Sequence, residues 1–367
     1  MMMPLRIVVT SAVASAFLCL STPAARADLP KDVREAKSHD TTKSSIDAYV
    51  AKLVTQIAAN DAKSGVAREE LASQSDVKGP IAPTASFNLT YISSVSTGIQ
   101  PLLKHQEAAV RLNGAIVVHR LAVATQQATL QPLVEQVMND TAPAVQLWGV
   151  KAAGVLLPSL FSNATTLGSE KLSAGIVACV KKNPRLGAVV QEAYKAFDLT
   201  AVTPALGAPA LVKATDRMNE VLAFRVQQYA AGMPADPQSE RAPPLYLIKG
   251  VVTKANTPKQ TNETMQNLSD LLAVSAQRTV ALQGADRARM QNVVSGAAGS
   301  IRVLVPTTKD VTAIFNNLAN VQAGAVMPAM AAVVNEIKKV STYSALRDPP
   351  TVKLLEQAVP PAATAGG

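Results

Sequence analysis

The sequence is poor in the residues from which catalytic and metal sites are built. It has two cysteines and three histidines in 367 residues, and the histidines lie in different segments. Zinc motifs of the His-Glu-x-x-His and Cys-x-x-Cys types are therefore excluded. No Gly-x-Ser-x-Gly elbow, Gly-x-Gly-x-x-Gly fingerprint or phosphate loop occurs either. We expect no catalytic residue, no metal and no cofactor, and predict that the protein is not an enzyme; a triad dispersed along the chain is the one alternative.

Aromatic residues are also scarce. They make up 4% of the chain, whereas 48% of the residues are hydrophobic, and alanine, valine and leucine are abundant. This composition can build a core, but it suits closely packed helices better than a β-sandwich, which favours aromatic and β-branched pairs. We therefore predict an all-α fold.

The N-terminus has the three parts of a secretory signal. Arg6 precedes an apolar stretch over 7–20, and an Ala-Arg-Ala triplet ends at Ala27. We expect residues 1–27 to be a bacterial signal peptide that is cleaved near Ala27, which places the mature protein in the periplasm or outside the cell. The apolar stretch is short for a bilayer, so we expect no transmembrane anchor. Cleavage leaves Cys179 as the only cysteine, which excludes an intramolecular disulfide.

The positive charge of the chain is modest and dispersed. The formal net charge is +9, and loss of Arg6 and Arg26 with the signal leaves +7. The lysines and arginines are scattered, without the interleaved aromatic residues that stack on bases. We therefore expect no nucleic acid among the partners.

One repeat is visible in the sequence. The pattern Ala-Val-x-Leu-x-Gly occurs at 109–114 and again at 144–149, which is 35 residues later. Each copy opens an apolar helical stretch and follows another one, so the unit is helix, turn, helix. A looser third copy turns near 183–184. The glycines that end the first two copies, Gly114 and Gly149, are expected to mark close contacts between helices.

The second copy resembles the HEAT and armadillo-like helical repeat proteins. It reads Asp140-Thr141-Ala142-Pro143-Ala144-Val145 and continues with Lys151-Ala152-Ala153. In that family an Asp-x-x-Pro-x-Val turn leads into an Ala-rich second helix. The resemblance covers about 85–200 and implies a helix-hairpin α-solenoid, in which each pair buries its apolar face against the next. The family usually carries arginine at the position of Gln146, and Arg111 holds that position in the first copy.

The remaining segments have other patterns. The 35-residue period is lost after 203, so the later helices are compatible with degenerate repeats or with a separate bundle. Helices are predicted there at 209–231, 245–256, 262–283, 286–304, 309–321 and 323–341, and 232–244 reads as an exposed loop. The expected organisation is a mobile N-terminal segment over 28–84 with a short helix near 44–60, HEAT-like repeats over 85–203, a C-terminal helical region over 204–345 and a mobile tail over 346–367.

These patterns predict an exported interaction or scaffold protein of the bacterial envelope. Stacked helix pairs offer a long surface to a protein or peptide partner, and we expect exposed polar residues of the second helices to line it. The alternative is a carrier that holds an apolar small molecule or lipid in a helical cavity. The sequence leaves the partner's identity and the oligomeric state open. The predicted surface residues are Arg111, Gln146, Lys151 and Gln191.

Overall fold

Helices account for all the regular structure in the part of the chain that the computed structural model describes, which contains 15 of them and no strand. The predicted all-α fold is confirmed. The predicted signal peptide lies outside the described residues, as does nearly all of the predicted tail. The described residues are 29–36, 42–76, 82–162, 166–198, 203–232, 237–253, 256–305, 313–314, 316–320 and 322–347.

The helices fall into three groups along the chain. The first group comprises α1 (Lys31–Glu35), α2 (Lys43–Ala58) and α3 (Ser64–Ser73). The second comprises α4 (Ala85–Gly98), α5 (Gln100–Leu103), α6 (Ala108–Thr125), α7 (Gln131–Met138), α8 (Pro143–Ser162), α9 (Thr166–Lys182) and α10 (Gly187–Phe197). The third comprises α11 (Thr203–Ala230), α12 (Pro243–Val252), α13 (Pro258–Ala281), α14 (Gly284–Leu304) and α15 (Ala323–Lys338).

The N-terminal segment contains more helix than the one we predicted. The helix predicted near 44–60 is present as α2, and the part 61–84, for which no helix was predicted, contains α3. Leu71 of α3 is fully buried. On the same helix, Glu70 accepts a hydrogen bond from the Tyr49 hydroxyl at 3.0 Å. The sequence did not indicate α3 because its charges obscure its short apolar face.

The two copies of the sequence repeat have the same local geometry. Gly114 of α6 faces Leu103, the last residue of α5, and Gly149 of α8 faces Met138, the last residue of α7. A Cβ on Gly149 would lie 2.7 Å from the Met138 backbone nitrogen, and one on Gly114 would lie 2.9 Å from Leu103 Cδ2. Both distances are too short for van der Waals contact. The obstacle is backbone at Gly149 and the end of a leucine side chain at Gly114, so glycine allows a close approach at both positions and is the stricter requirement at Gly149. The expected close contacts are confirmed.

Helix α8 lies at the centre of the second group. It packs against α6, α7, α9 and α10 and also touches α11. Its segment Pro143–Phe161 is long and apolar enough to cross a membrane, and half of the most apolar part is buried inside the structure. A core helix of a water-soluble protein meets the same criterion, so this segment is weak evidence for a membrane span.

The third group continues the same hydrophobic core. The contiguous cluster of buried apolar side chains extends from Leu29 to Leu346. Helix α11 packs against α8, α9 and α10 of the second group and against α12 and α13 of the third, and α13 packs against α14 and α15. The described helices of this group begin within six residues of the predicted starts.

The predicted exposed loop over 232–244 is only partly irregular. Residues 237–241 form a 3-10 turn in which Ser239 and Glu240 are buried. The expectation of an exposed loop is wrong for this turn, because Glu240 pairs with Arg225 inside the core. A carboxylate can be buried when a buried cation pairs with it. The proline-rich sequence around Glu240 gives no sign of such a partner.

Candidate interaction groove

Arg111 joins two successive turns of the repeat. Its guanidinium donates to both carboxylate oxygens of Asp140, at 2.7 and 3.1 Å, and to the backbone carbonyls of His105 and Gln106, both at 2.8 Å. The hydrogen bond with Asp140 raises the pKa of Arg111. This side chain therefore fastens the turn before α6 to the turn before α8.

Gln146 repeats this arrangement one unit later. Its amide nitrogen donates to the backbone carbonyl of Asp140, six residues earlier, just as Arg111 donates to His105. Its amide oxygen accepts from the side chain of Asn183 in the next turn. Gln146 is only 3% exposed. Our expectation that it lies on an exposed surface is wrong, because its polar atoms are engaged by the two turns.

Lys151 lies instead beside the only tryptophan of the chain. Its ammonium group is 4.5 Å from the centre of the Trp148 ring, one helical turn away on α8. His119 of α6 meets the same indole edge-on at 5.1 Å. Trp148 packs partly against the core and remains partly exposed, which gives α8 an amphipathic ring at the surface.

These three side chains open onto a cleft of about 380 Å³ that reaches α10. Glu192 and Lys195 of α10 form its far wall and pair with each other at 2.8 Å. The walls between the polar groups are apolar and include Val155 and Ala196. The cleft therefore combines an aromatic ring, cations and an apolar lining.

A second cleft of about 330 Å³ adjoins the first, because Lys195 lines both. It lies between α10, the 237–241 turn and α12, and Gln191 forms part of its wall. Leu245 and Tyr246 of α12 supply its apolar surface, and Leu245 is 57% exposed. The two clefts together, called the groove below, cross α6, α8, α10 and α12.

Two titratable groups of the groove have shifted pKa values. Burial, assisted by the nearby charge of Lys151, lowers the pKa of His119, so the imidazole is neutral at neutral pH. The hydrogen bond to Glu192 raises the pKa of Lys195, which keeps its ammonium charged. Fixed cations and a neutral ring therefore characterise the groove.

The structure thus divides the four predicted surface residues into two pairs. Lys151 and Gln191 line the groove, whereas Arg111 and Gln146 connect the repeat turns. The sequence contained one indication of the groove that we did not use: Trp148 and Lys151 are three residues apart on a helix and therefore lie side by side. The contribution of α12 had no such signal, because the repeat period is lost before it.

Among the described residues, no group of three or more His, Cys, Asp or Glu side chains could hold a metal ion. Cys179 is buried, its thiol donates to the Met138 carbonyl at 3.3 Å, and burial raises its pKa to about 11. Such a thiol is protonated at neutral pH and is a poor nucleophile.

The recurrence of the Arg111 and Gln146 contacts is observed in this chain alone. Comparisons with protein-family models, with curated proteins and with solved structures found no match.

Proposed function

We propose that the protein is an exported, non-enzymatic interaction protein of a bacterial envelope, and that the groove binds a protein or peptide partner. The observation that carries the proposal is the groove itself, in which Trp148 of α8 and Tyr246 of α12 each stand beside a lysine. Partly exposed aromatic side chains next to cations are typical of protein-binding hot spots.

The repeated turn contacts support a HEAT-like solenoid over α4–α10. Glycine contacts at Gly114 and Gly149 and polar contacts at Arg111 and Gln146 recur with the 35-residue period of the sequence. Stacked helix pairs of this kind place their second helices side by side and create extended surfaces. The groove crosses those second helices, as a solenoid-type binding surface would.

Export is proposed from the N-terminal signal alone. N-terminal sequencing of the protein recovered from an envelope fraction checks it, and a mature chain beginning at Asp28 is the expected result. An uncleaved chain in the cytoplasm would contradict export and leave the groove proposal untouched.

Site-specific photo-crosslinking tests the binding role. A photo-reactive residue in place of Gln191, which lines the groove, is expected to trap a partner in an envelope extract. The same residue in place of Gln322, which is exposed outside both clefts, is the control. Equal labelling at the two positions, or labelling at neither, would contradict the proposal.

A carrier of an apolar small molecule or lipid remains the alternative function. Native mass spectrometry of the purified protein distinguishes it from an interaction protein. Charged side chains line both clefts, which favours a polar partner over an apolar cargo. Native mass spectrometry of gently purified protein is expected to give the bare mass. A co-purified lipid or apolar molecule would favour the carrier.

A further inference from the structure

The charge of the groove is one-sided. Lys151, Lys195 and Arg241 line it, and Glu192 is the one acid among the described residues that line the two clefts. Lys249 adds a further cation, 5.5 Å from the centre of the Tyr246 ring. Among the described lining residues, three cations therefore stand against one acid, Glu192, which pairs with Lys195. Opposite charge on an incoming partner is favoured by this field, and like charge is repelled.

The groove is not merely a basic patch, because each cleft has its own apolar wall. Trp148 and Val155 provide it in the first cleft, and Leu245 and Tyr246 provide it in the second. Leu245 exposes more than half of its surface to water. A purely ionic polymer would leave these surfaces wet, whereas apolar side chains that enter the two clefts would cover them.

The spacing of the clefts sets the length of the occupant. They lie on opposite sides of α10, so their centres are separated by about one helix spacing, roughly 10 Å. A chain in the polyproline II conformation advances about 3.1 Å per residue with about three residues per turn, so roughly three residues span the distance and bring the side chain back to the same face. An extended segment of this kind with apolar side chains at positions i and i+3 therefore reaches both clefts.

Together these features define a partner. Building on the proposed function, we infer that the groove binds an extended acidic segment of a protein, with two apolar or aromatic side chains three residues apart. The acidic residues lie along Lys151, Lys195 and Arg241, and the two apolar side chains enter the clefts. Specificity comes from the acidic residues and the apolar side chains together, since the acidic residues match only the cations of the groove and the apolar side chains match only its apolar walls.

Tryptophan fluorescence gives a direct assay, because Trp148 is the only tryptophan and lines the first cleft. The probe is the peptide Ac-Glu-Glu-Leu-Glu-Glu-Phe-Glu-Glu-NH2. It is expected to shift the emission of the full mature protein saturably and to bind more weakly as salt is raised. Two control peptides carry Lys in place of every Glu, or Gly in place of Leu and Phe. Each is expected to bind at least about tenfold more weakly.

Matched variants locate the binding. Lys195→Glu reverses the charge that both clefts share and is expected to weaken peptide binding about tenfold. Lys339→Glu is its control, because both lysines are exposed, at 62% and 67%, and both pair with a Glu three residues earlier. Leu245→Ser is expected to weaken binding about fivefold, and Leu167→Ser, at the 67% exposed Leu167 on α9, to leave it unchanged. Circular dichroism checks that all four variants are folded.

The outcomes separate this inference from the proposed function. Equal binding of the Gly-containing control would show a polyanion site and overturn the inference. So would unaltered binding by Lys195→Glu, or failure of the Glu peptide to bind. If the photo-reactive residue at position 191 still traps a partner in those cases, the interaction role stands and only the partner's chemistry is wrong. If nothing is trapped and no peptide binds, both proposals fall.

Discussion

The helices from α4 to α10 and those from α11 to α15 are held in place by different means. In the first set, contacts at short turns recur with the 35-residue period, through Gly114 and Gly149 and through Arg111 and Gln146. In the second set, α11 and α13 are the longest helices described, and a buried ion pair fixes the turn between α11 and α12. A periodic contact can be recognised from the sequence, whereas a non-local contact without a period, such as this ion pair, cannot.

The buried ion pair differs from the ion pair of the repeats in its exposure to water. Arg225 and Glu240 are 1% and 0% exposed and lie 2.7 Å apart, whereas Arg111 and Asp140 are 14% and 8% exposed. Arg225 also donates to the Pro184 carbonyl, and Tyr229 donates to Glu240. Burial opposes the charge of Arg225, but the attraction of Glu240 outweighs it and raises the pKa of the guanidinium.

The largest effect is expected from breaking the buried pair. Arg225→Met leaves the Glu240 carboxylate uncompensated in the core, and this should lower the free energy of unfolding by about 3–5 kcal/mol. Chemical denaturation measures the loss. The double variant Arg225→Met with Glu240→Leu is the control and should recover much of it, because no charge is then left unpaired. A single variant as stable as the parent would show that Glu240 is reached by water.

A smaller effect is expected from the corresponding change in the repeats. Arg111→Met removes hydrogen bonds to Asp140 and to two carbonyls, but these groups lie near enough to the surface to gain water instead. The expected loss is about 1.5–3 kcal/mol by chemical denaturation. If the loss equals that of Arg225→Met, burial does not distinguish the two ion pairs and the contrast between the regions fails.

Glycine substitutions sharpen the contrast further, since each region offers a helical glycine. Gly149→Ala places a Cβ 2.7 Å from the backbone of Met138 and should cost about 1–3 kcal/mol. Gly299→Ala on α14 meets no atom within 4 Å and should stabilise by up to about 1 kcal/mol through helix propensity. Opposite signs in thermal or chemical denaturation are the expected result. A neutral or stabilising Gly149→Ala would remove the basis of the repeat geometry.

Local signals explain which parts of the fold could be predicted. The repeat glycines were predictable because their pattern recurs 35 residues later and each contacts the helix just before its own, and the turn near 183–184 was predictable from its Asn-Pro sequence. The start of α13 was misplaced by four residues even though its signal was present. Thr257 and Gln260 form a capping box around Pro258, and a Thr-x-x-Gln pattern predicts one.

Non-local contacts explain what could not be predicted. The burial of Gln146 depends on Asn183, 37 residues away, and that of Glu240 depends on Arg225. The apolar wall of the second cleft, Leu245 and Tyr246, comes from α12, beyond the end of the sequence period. Of the predicted surface residues, Lys151 and Gln191 line the groove because they lie mid-face on second helices, whereas Arg111 and Gln146 lie near the helix starts, where the turns need hydrogen bonds.

The smallest expected effect is a difference between the two regions in how protein stability depends on pH. Burial lowers the pKa of His119 in the repeats, and burial raises the pKa of Asp270 in α13, where Arg347 only partly offsets it. The folded state therefore binds the His119 proton less tightly than the unfolded state, whose histidine pKa is about 6.5. The stability that neutral His119 contributes is present above that value and is lost as pH falls through the folded-state pKa. For Asp270 the sign is opposite, because protonation relieves the burial penalty as the pH falls through its raised pKa.

Trp148 emission follows the first of these titrations, because the tryptophan touches His119 and has no counterpart in α11–α15. We expect the emission to change on acidification with a midpoint below 6.5. Lys151→Gln should move the midpoint upward, since it removes a nearby positive charge that opposes protonation. His119→Gln should abolish the change. A midpoint at or above 6.5 in the parent protein would mean that His119 is solvated, and the first cleft would then lack the neutral wall on which its apolar character depends.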